Sequence, residues 1–239
     1  MLEYKNKRFS ILGDSISTLE GYSEPEDAAF YEGYRKFEAD VFTPEDTWWG
    51  QVISALGGEP LVNNSISGSM VCKHPRCEIP SYGCSDERTS ALHRGDRTPD
   101  VIFVYMGTND WGCNLDVKPL HAARENDLSV FSVAYRTMLQ KLRKHYPTAE
   151  LWCFTLAVST WKKSGSFVFP YDYNGGQHIE EYCKAIRDVA KEQGCRIIDL
   201  YSASELYDTV DGFHPNKAGM QTLSQNVLNA YYNQKEKSV

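Results

Sequence analysis

The sequence predicts one α/β domain, with a five-stranded parallel sheet lying between two layers of helices. Three observations point there. Short apolar runs alternate with amphipathic helical patterns from end to end. One run, Val101 to Met106, is apolar without a break, as expected of a central strand covered on both faces. The chain has 239 residues, 41% of them hydrophobic, enough for one full core.

In order, Phe9-Ser10-Ile11-Leu12 reads as the first strand. Thr43-Pro44-Glu45-Asp46 reads as a helix start, with a capping Thr, a first-turn Pro and acids near the positive end of the dipole. The helix that follows puts Trp48, Val52 and Leu56 on one face and stops at Gly57-Gly58. Leu61 to Asn64 is the second strand and Val101 to Met106 the third. A helix then carries Leu128, Phe131, Tyr135, Met138 and Leu142 at spacings of three and four. It gathers Lys141, Arg143, Lys144 and His145 at its end, before Pro147. Leu151 to Phe154 is a fourth strand. Ile179, Tyr182, Cys183, Ile186, Val189 and Ala190 stripe the next helix. Ile197 to Leu200 is a fifth strand, and Met220, Leu223, Val227 and Ala230 mark the last helix. A polar tail is expected from Gln234 to Val239. Two connections are long, residues 17–42 and 69–98, the second with a short helical candidate at Ser85 to Arg88; each reads equally as a lid or as decoration.

Composition excludes several classes. The formal net charge of −7 gives no basic stripe for a nucleic-acid partner. No apolar run approaches the roughly 20 residues needed to span a bilayer, and Phe9 to Leu12 is too short for a signal peptide's apolar region. Seven cysteines, an odd number with no C-x-x-C pair, suit a reduced, cytoplasmic protein. Cys72, Cys77 and Cys84 share one loop, but without the tight pairs and histidines of a zinc site, so no metal is expected. Neither a Gly-x-Gly-x-x-Gly nor a P-loop motif occurs, and no cofactor is expected.

Four stretches each lie just past an expected strand, where open α/β sheets gather functional groups. They are Gly13-Asp14-Ser15-Ile16, Ser67-Gly68, Gly107-Thr108-Asn109-Asp110 and Asp211-Gly212-Phe213-His214-Pro215. A serine hydroxyl is a weak nucleophile until a neighbouring base takes its proton. His214 can serve as that base, and Asp211, three residues earlier, can orient its other nitrogen. The tetrahedral intermediate of acyl transfer needs fixed donors for its oxyanion. The backbone N–H groups of Ser15 and Gly68 and the side-chain amide of Asn109 are the candidates. Asp14 and Trp111, beside these blocks, are candidate pocket residues; Trp111 could stack on a sugar or acyl group, or simply pack beneath its loop. Trp161 and Phe167 to Tyr173 could border the same cleft. His74, His93, His121, His145 and His178 have no comparable acid partner and read as surface or packing residues.

These blocks make the chain resemble the SGNH (GDSL-type) hydrolases, whose name lists Ser, Gly, Asn and His. The first, third and last blocks match closely, with Ile16 where Leu is common. The second, Asn64-Ser65-Ile66-Ser67-Gly68, has Ser65 where glycine is common. The resemblance implies a flavodoxin-like sheet of order 2-1-3-4-5, two-step ester hydrolysis without a metal, and an exposed pocket. The resulting expectation is a serine esterase acting on small acyl esters, short-chain or carbohydrate O-acetyl. Lysophospholipid or thioester cleavage is the alternative within the same chemistry. A non-catalytic flavodoxin-like ligand-binding module is the alternative from another class.

Overall fold

The computed structural model describes residues 3–25, 28–74, 82–165, 167–169, 172, 175–203 and 205–236. Its strands are β1 (Arg8–Gly13), β2 (Glu59–Ser65), β3 (Val101–Tyr105), β4 (Glu150–Phe154), β5 (Ser159–Trp161), β6 (Phe167–Val168), β7 (Arg196–Ile198) and β8 (Tyr207–Asp208). Five of them form a parallel sheet in the order β2-β1-β3-β4-β7. Counted by the five expected strands, this is the order 2-1-3-4-5.

Alternation along β3 explains the layers. Val101, Phe103 and Tyr105 face one core with Trp48, Val52, Met220 and Leu223 of α2 (Trp48–Leu56) and α7 (Lys217–Glu236). Ile102 and Val104 face a second core with Met138, Leu142, Ile186 and Val189 of α5 (Phe131–His145) and α6 (Ile179–Glu192). Both faces are therefore sealed, and β3 can be apolar throughout. Phe103 sits at the centre of the first core, 5.1 to 5.3 Å from the rings of Phe9, Trp152 and Phe154.

Local chemistry sets the helix ends, with three differences from the sequence reading. Thr43 to Asp46 forms a separate 3-10 turn, in which Asp46 accepts from the backbone of Phe42 and Thr43 at 3.1 Å. The cap of α2 is Thr47, which accepts from Gly50 N–H at 3.1 Å, and Gly57 closes the helix in the left-handed conformation. Leu128 lies before α5 rather than in it. Residues 234–236 continue α7 instead of starting a tail: Gln234 donates to Ile197 O, and Lys235 pairs with Glu3. Residues 237–239 are outside the described part.

The sequence reading misses a second sheet, β6-β5-β8. Its strands are only two or three residues long, too short to carry a readable alternation. The long connection after β1 is also structured. It holds α1 (Gly33–Ala39), and it pairs Ser23 with Asn63 along the outer edge of β2. Within the second long connection, Ser85 caps the short helix α3 (Asp86–Ser90) by accepting from Arg88 N–H at 3.1 Å.

Candidate active site

The ends of β1, β2 and β3 are level: Gly13 pairs with Ser65 on one side and Tyr105 on the other. The three following loops therefore leave the sheet side by side at the point where strand order reverses. Gly13 is required by close approach, because a Cβ there would stand 2.6 Å from Ser65 Oγ and 2.9 Å from Ser17 Cβ. Ser15 opens a 3-10 turn capped by Asp14, whose carboxylate accepts from Ile16 N–H at 3.1 Å.

His214 comes from further away. It does not follow the fifth strand of the main sheet directly, as the sequence suggests, but follows β8 of the small sheet. That sheet braces the loop on several sides. Ser159 Oγ donates to Gly212 O at 2.6 Å, Tyr207 Oη donates to Phe213 O at 3.0 Å, and Thr209 Oγ1 donates to Thr160 O at 2.8 Å. Phe213 packs edge-on to Phe169, which stacks on Trp111 at 4.9 Å.

The loop delivers His214 Nε2 to 2.8 Å from Ser15 Oγ, across 199 residues of sequence. On the other side, His214 Nδ1 lies 2.7 Å from Asp211 Oδ2. Asp211 Oδ1 accepts from the backbone N–H groups of Phe213 and His214 at 3.0 and 2.9 Å. Burial pushes the Asp211 carboxyl up, but the bonds from His214 and Phe213 outweigh it and hold the group below the usual carboxylate range. With Asp211 ionised, the imidazole proton sits on Nδ1, which leaves Nε2 to accept the Ser15 hydroxyl proton. The Ser15 residue is 7% exposed.

The other two blocks are tied to each other. Asn109, in the short helix α4 (Thr108–Gly112), donates its side-chain amide to Ser69 O at 2.9 Å, next to Gly68. Gly68 has φ +75°, a left-handed conformation that glycine takes without strain. Asp110 accepts from Val71 and Cys72 N–H at 2.8 and 3.0 Å, fixing the loop beyond Gly68.

Arg88 is the chief residue missed by sequence reasoning. Buried at 2% exposure, it donates to Ser69 Oγ (2.7 Å), Gly13 O (3.0 Å), Asn64 O (2.8 Å) and Asn64 Oδ1. One guanidinium thus joins the ends of β1 and β2 to the Gly68 loop. No signal in the sequence marks it, since an arginine at the start of a polar helix ordinarily faces water.

Two candidates are not where a pocket would need them. Asp14 and Trp111 are each 1% exposed, so neither offers a surface to a ligand. Trp111 packs beneath its loop against Phe169. Trp161 is half-buried in β5, the side chains of Phe167 and Val168 are not described, and 170–171 and 173 lie outside the described residues. Cys72 and Cys84 are buried, with burial pushing the Cys84 thiol up to about 12; Cys77 also lies outside the described residues. Among the described residues no group of three His, Cys, Asp or Glu could hold a metal ion.

Comparison with known proteins places the chain in a family. The chain belongs to the GDSL-like lipase/acylhydrolase family, whose model matches residues 7–162, and the chemistry of that family is ester hydrolysis. A GDSL-like lipase candidate from Bacteroides uniformis shares 28% identity over 95% of this chain and 96% of its own, with a TM-score of 0.69. An aryl esterase from M. smegmatis (19% identity, 96% of this chain, 99% of its own, TM-score 0.59) shares the fold. So does a carbohydrate acetylesterase from Sinorhizobium meliloti (12%, 96%, 99%, 0.61). No curated protein matches the chain.

Two predictions follow from the buried charges. Arg88→Lys keeps the charge but cannot reach all four acceptors, so it should lower stability by about 1–3 kcal/mol in urea unfolding. A variant as stable as the native chain would show that the fork is not needed.

Asp14 gives the second. Burial, with Asp110 nearby, pushes its carboxyl up to about 7 despite the bonds from Ile16 N–H and Thr108. Its folded value exceeds the ordinary value of about 3.9, so its contribution to stability is complete below about pH 4. That contribution is lost as pH rises through about 7. Asp14→Asn keeps an acceptor and removes the titration. Its Tm relative to the native chain should therefore rise between about pH 5 and about pH 8; a pH-independent difference would mean that Asp14 does not titrate there.

Proposed function

We propose that the protein is a serine esterase that hydrolyses small acyl esters through an acyl-enzyme. The observation that carries the reading is the unbroken hydrogen-bonded chain from Ser15 Oγ through both nitrogens of His214 to Asp211. Ser15 attacks the acyl carbon while His214 Nε2 takes its proton. Asp211 holds the imidazole in the tautomer that leaves Nε2 open and offsets the positive charge that forms. The oxyanion is received by the backbone N–H groups of Ser15 and Gly68 and the Asn109 amide. His214 then passes its proton to the leaving alcohol, activates water in the second step, and the acid departs.

A ligand-binding module has no need of this relay, and the buried Arg88 and Asp110 contacts around the Gly68 loop suit a site that holds donors still. Short-chain and carbohydrate O-acetyl esters are the substrates proposed, because the sequence has no broad apolar stretch suited to a bulk lipid and its loops are rich in aromatic residues that suit sugars. Initial rates on p-nitrophenyl acetate, butyrate and octanoate, then on acetylated sugars and a thioester, test that choice. A preference for octanoate or the thioester would favour the lysophospholipase or thioesterase reading.

Ser15→Ala should fold normally, lose ester turnover and escape labelling by a fluorophosphonate probe; turnover equal to the native chain would overturn the mechanism. Asn109→Ala should lower kcat by about 10²–10³, and an unchanged kcat would remove it from the oxyanion site.

A further inference from the structure

The long connection after β1 supplies a contact to the site that the triad does not account for. Phe30, 5% exposed, lies flat against the imidazole of His214, with ring centroids 3.5 Å apart and planes within 7°. The guanidinium of Arg35 covers the outer face of the same phenyl ring, 4.5 Å from its centroid. The placement is anchored at both ends. Phe30 N–H donates to Thr18 Oγ1 at 2.9 Å, and that hydroxyl donates to Ser15 O at 2.8 Å. Next along the chain, Tyr31 Oη donates to Pro215 O at 2.8 Å. One segment therefore grips both the serine turn and the histidine loop.

Two hydrogen bonds fix the nitrogens of His214 but leave the ring free to tilt about the line joining them. A parallel ring in van der Waals contact removes that freedom. It also leaves movement within the plane open, and Nε2 needs such movement to turn from Ser15 towards the leaving oxygen. We propose that Phe30, braced by Arg35, is the positioning residue for the His214 imidazole, a role that rests on reading His214 as the general base.

The stack has an electrostatic side. An imidazolium is attracted to the face of a phenyl ring, and Arg35 occupies the opposite face with a charge of the same sign. Arg35 therefore closes the side of Phe30 that faces away from the imidazole, and its removal leaves that ring free to move off His214.

The test compares Phe30→Leu, Phe30→Tyr, Arg35→Met and Arg35→Lys with the native enzyme on p-nitrophenyl acetate. It also follows the His214 ring protons by NMR, assigned with His214→Gln. Phe30→Leu should lower kcat about tenfold with KM within about twofold, while Phe30→Tyr restores most of the rate. The upfield ring-current shift of the His214 protons should disappear in Phe30→Leu and remain in Phe30→Tyr. Arg35→Met should lower kcat by a smaller factor than Phe30→Leu and weaken the ring-current shift, and Arg35→Lys should do less of both.

Native kcat in a folded Phe30→Leu, or a ring-current shift and kcat both unchanged in Arg35→Met, would overturn the proposal. If Phe30→Leu does not fold, Arg35→Met and the ring-current shift in the native enzyme decide the matter. Failure of the esterase reading looks different. Ser15→Ala would then remain active, or no ester would turn over, while the ring-current shift still reports the stack.

Discussion

A single 2.8 Å hydrogen bond joins residues 199 positions apart, and the site depends on keeping its two ends in place. A hydrogen bond between two partly buried neutral groups contributes only about 1 kcal/mol, too little to hold loops from opposite ends of the chain. The surrounding contacts do the holding. Ser15 is set by the β1 turn, its Asp14 cap and Thr18, and His214 by Asp211 and the small sheet. Phe30 and Tyr31 join the two. The Ser15–His214 bond is a consequence of these restraints.

Beneath the site lie three ionisable groups with almost no water: Asp14, Asp110 and Arg88. Burial pushes Asp110 up to about 6 and Asp14 to about 7, while it lowers Arg88 to about 10. Asp110 accepts two backbone N–H bonds that favour its charged form, and that charge in turn favours the proton on Asp14. Burial raises both carboxyls toward their neutral forms, which limits negative charge beneath the place where the proposed oxyanion develops.

The main sheet was legible in the sequence because its strands are buried on both faces and its helices on one, so each leaves a distinct apolar period. The motif blocks were legible for a related reason. Chemistry at strand ends needs particular residue types, and Gly13, Gly68 and Asp211 are hard to replace geometrically. The elements that position those residues left no such mark. β5, β6 and β8 are too short to show a period, and Arg88 resembles any surface arginine until its four acceptors are seen. Phe30 is one aromatic among many in residues 17–42, and only tertiary structure reveals that its partner is His214. Trp111 shows the converse: adjacency to a motif left a pocket wall and packing beneath the loop equally open, and the structure has the side chain in the core.

The connection between β1 and α2 also separates two tasks. Its inner part, Phe30 and Tyr31, is buried and bonded to both catalytic loops. Its outer part, on and after α1, exposes Tyr34 at 72% and Phe37 at 74%, the latter edge-on to Phe42 at 5.2 Å. Arg35 lies at the boundary, on the outer face of the ring that holds the imidazole. Tyr34 is not independent of the stack, since its hydroxyl accepts from Arg35 Nε at 3.5 Å, whereas Phe37 contacts Phe42 and is remote from the relay in the chain of contacts. One loop thus divides into a buried half that ties the Ser15 turn to the His214 loop and an exposed half that meets it at Arg35.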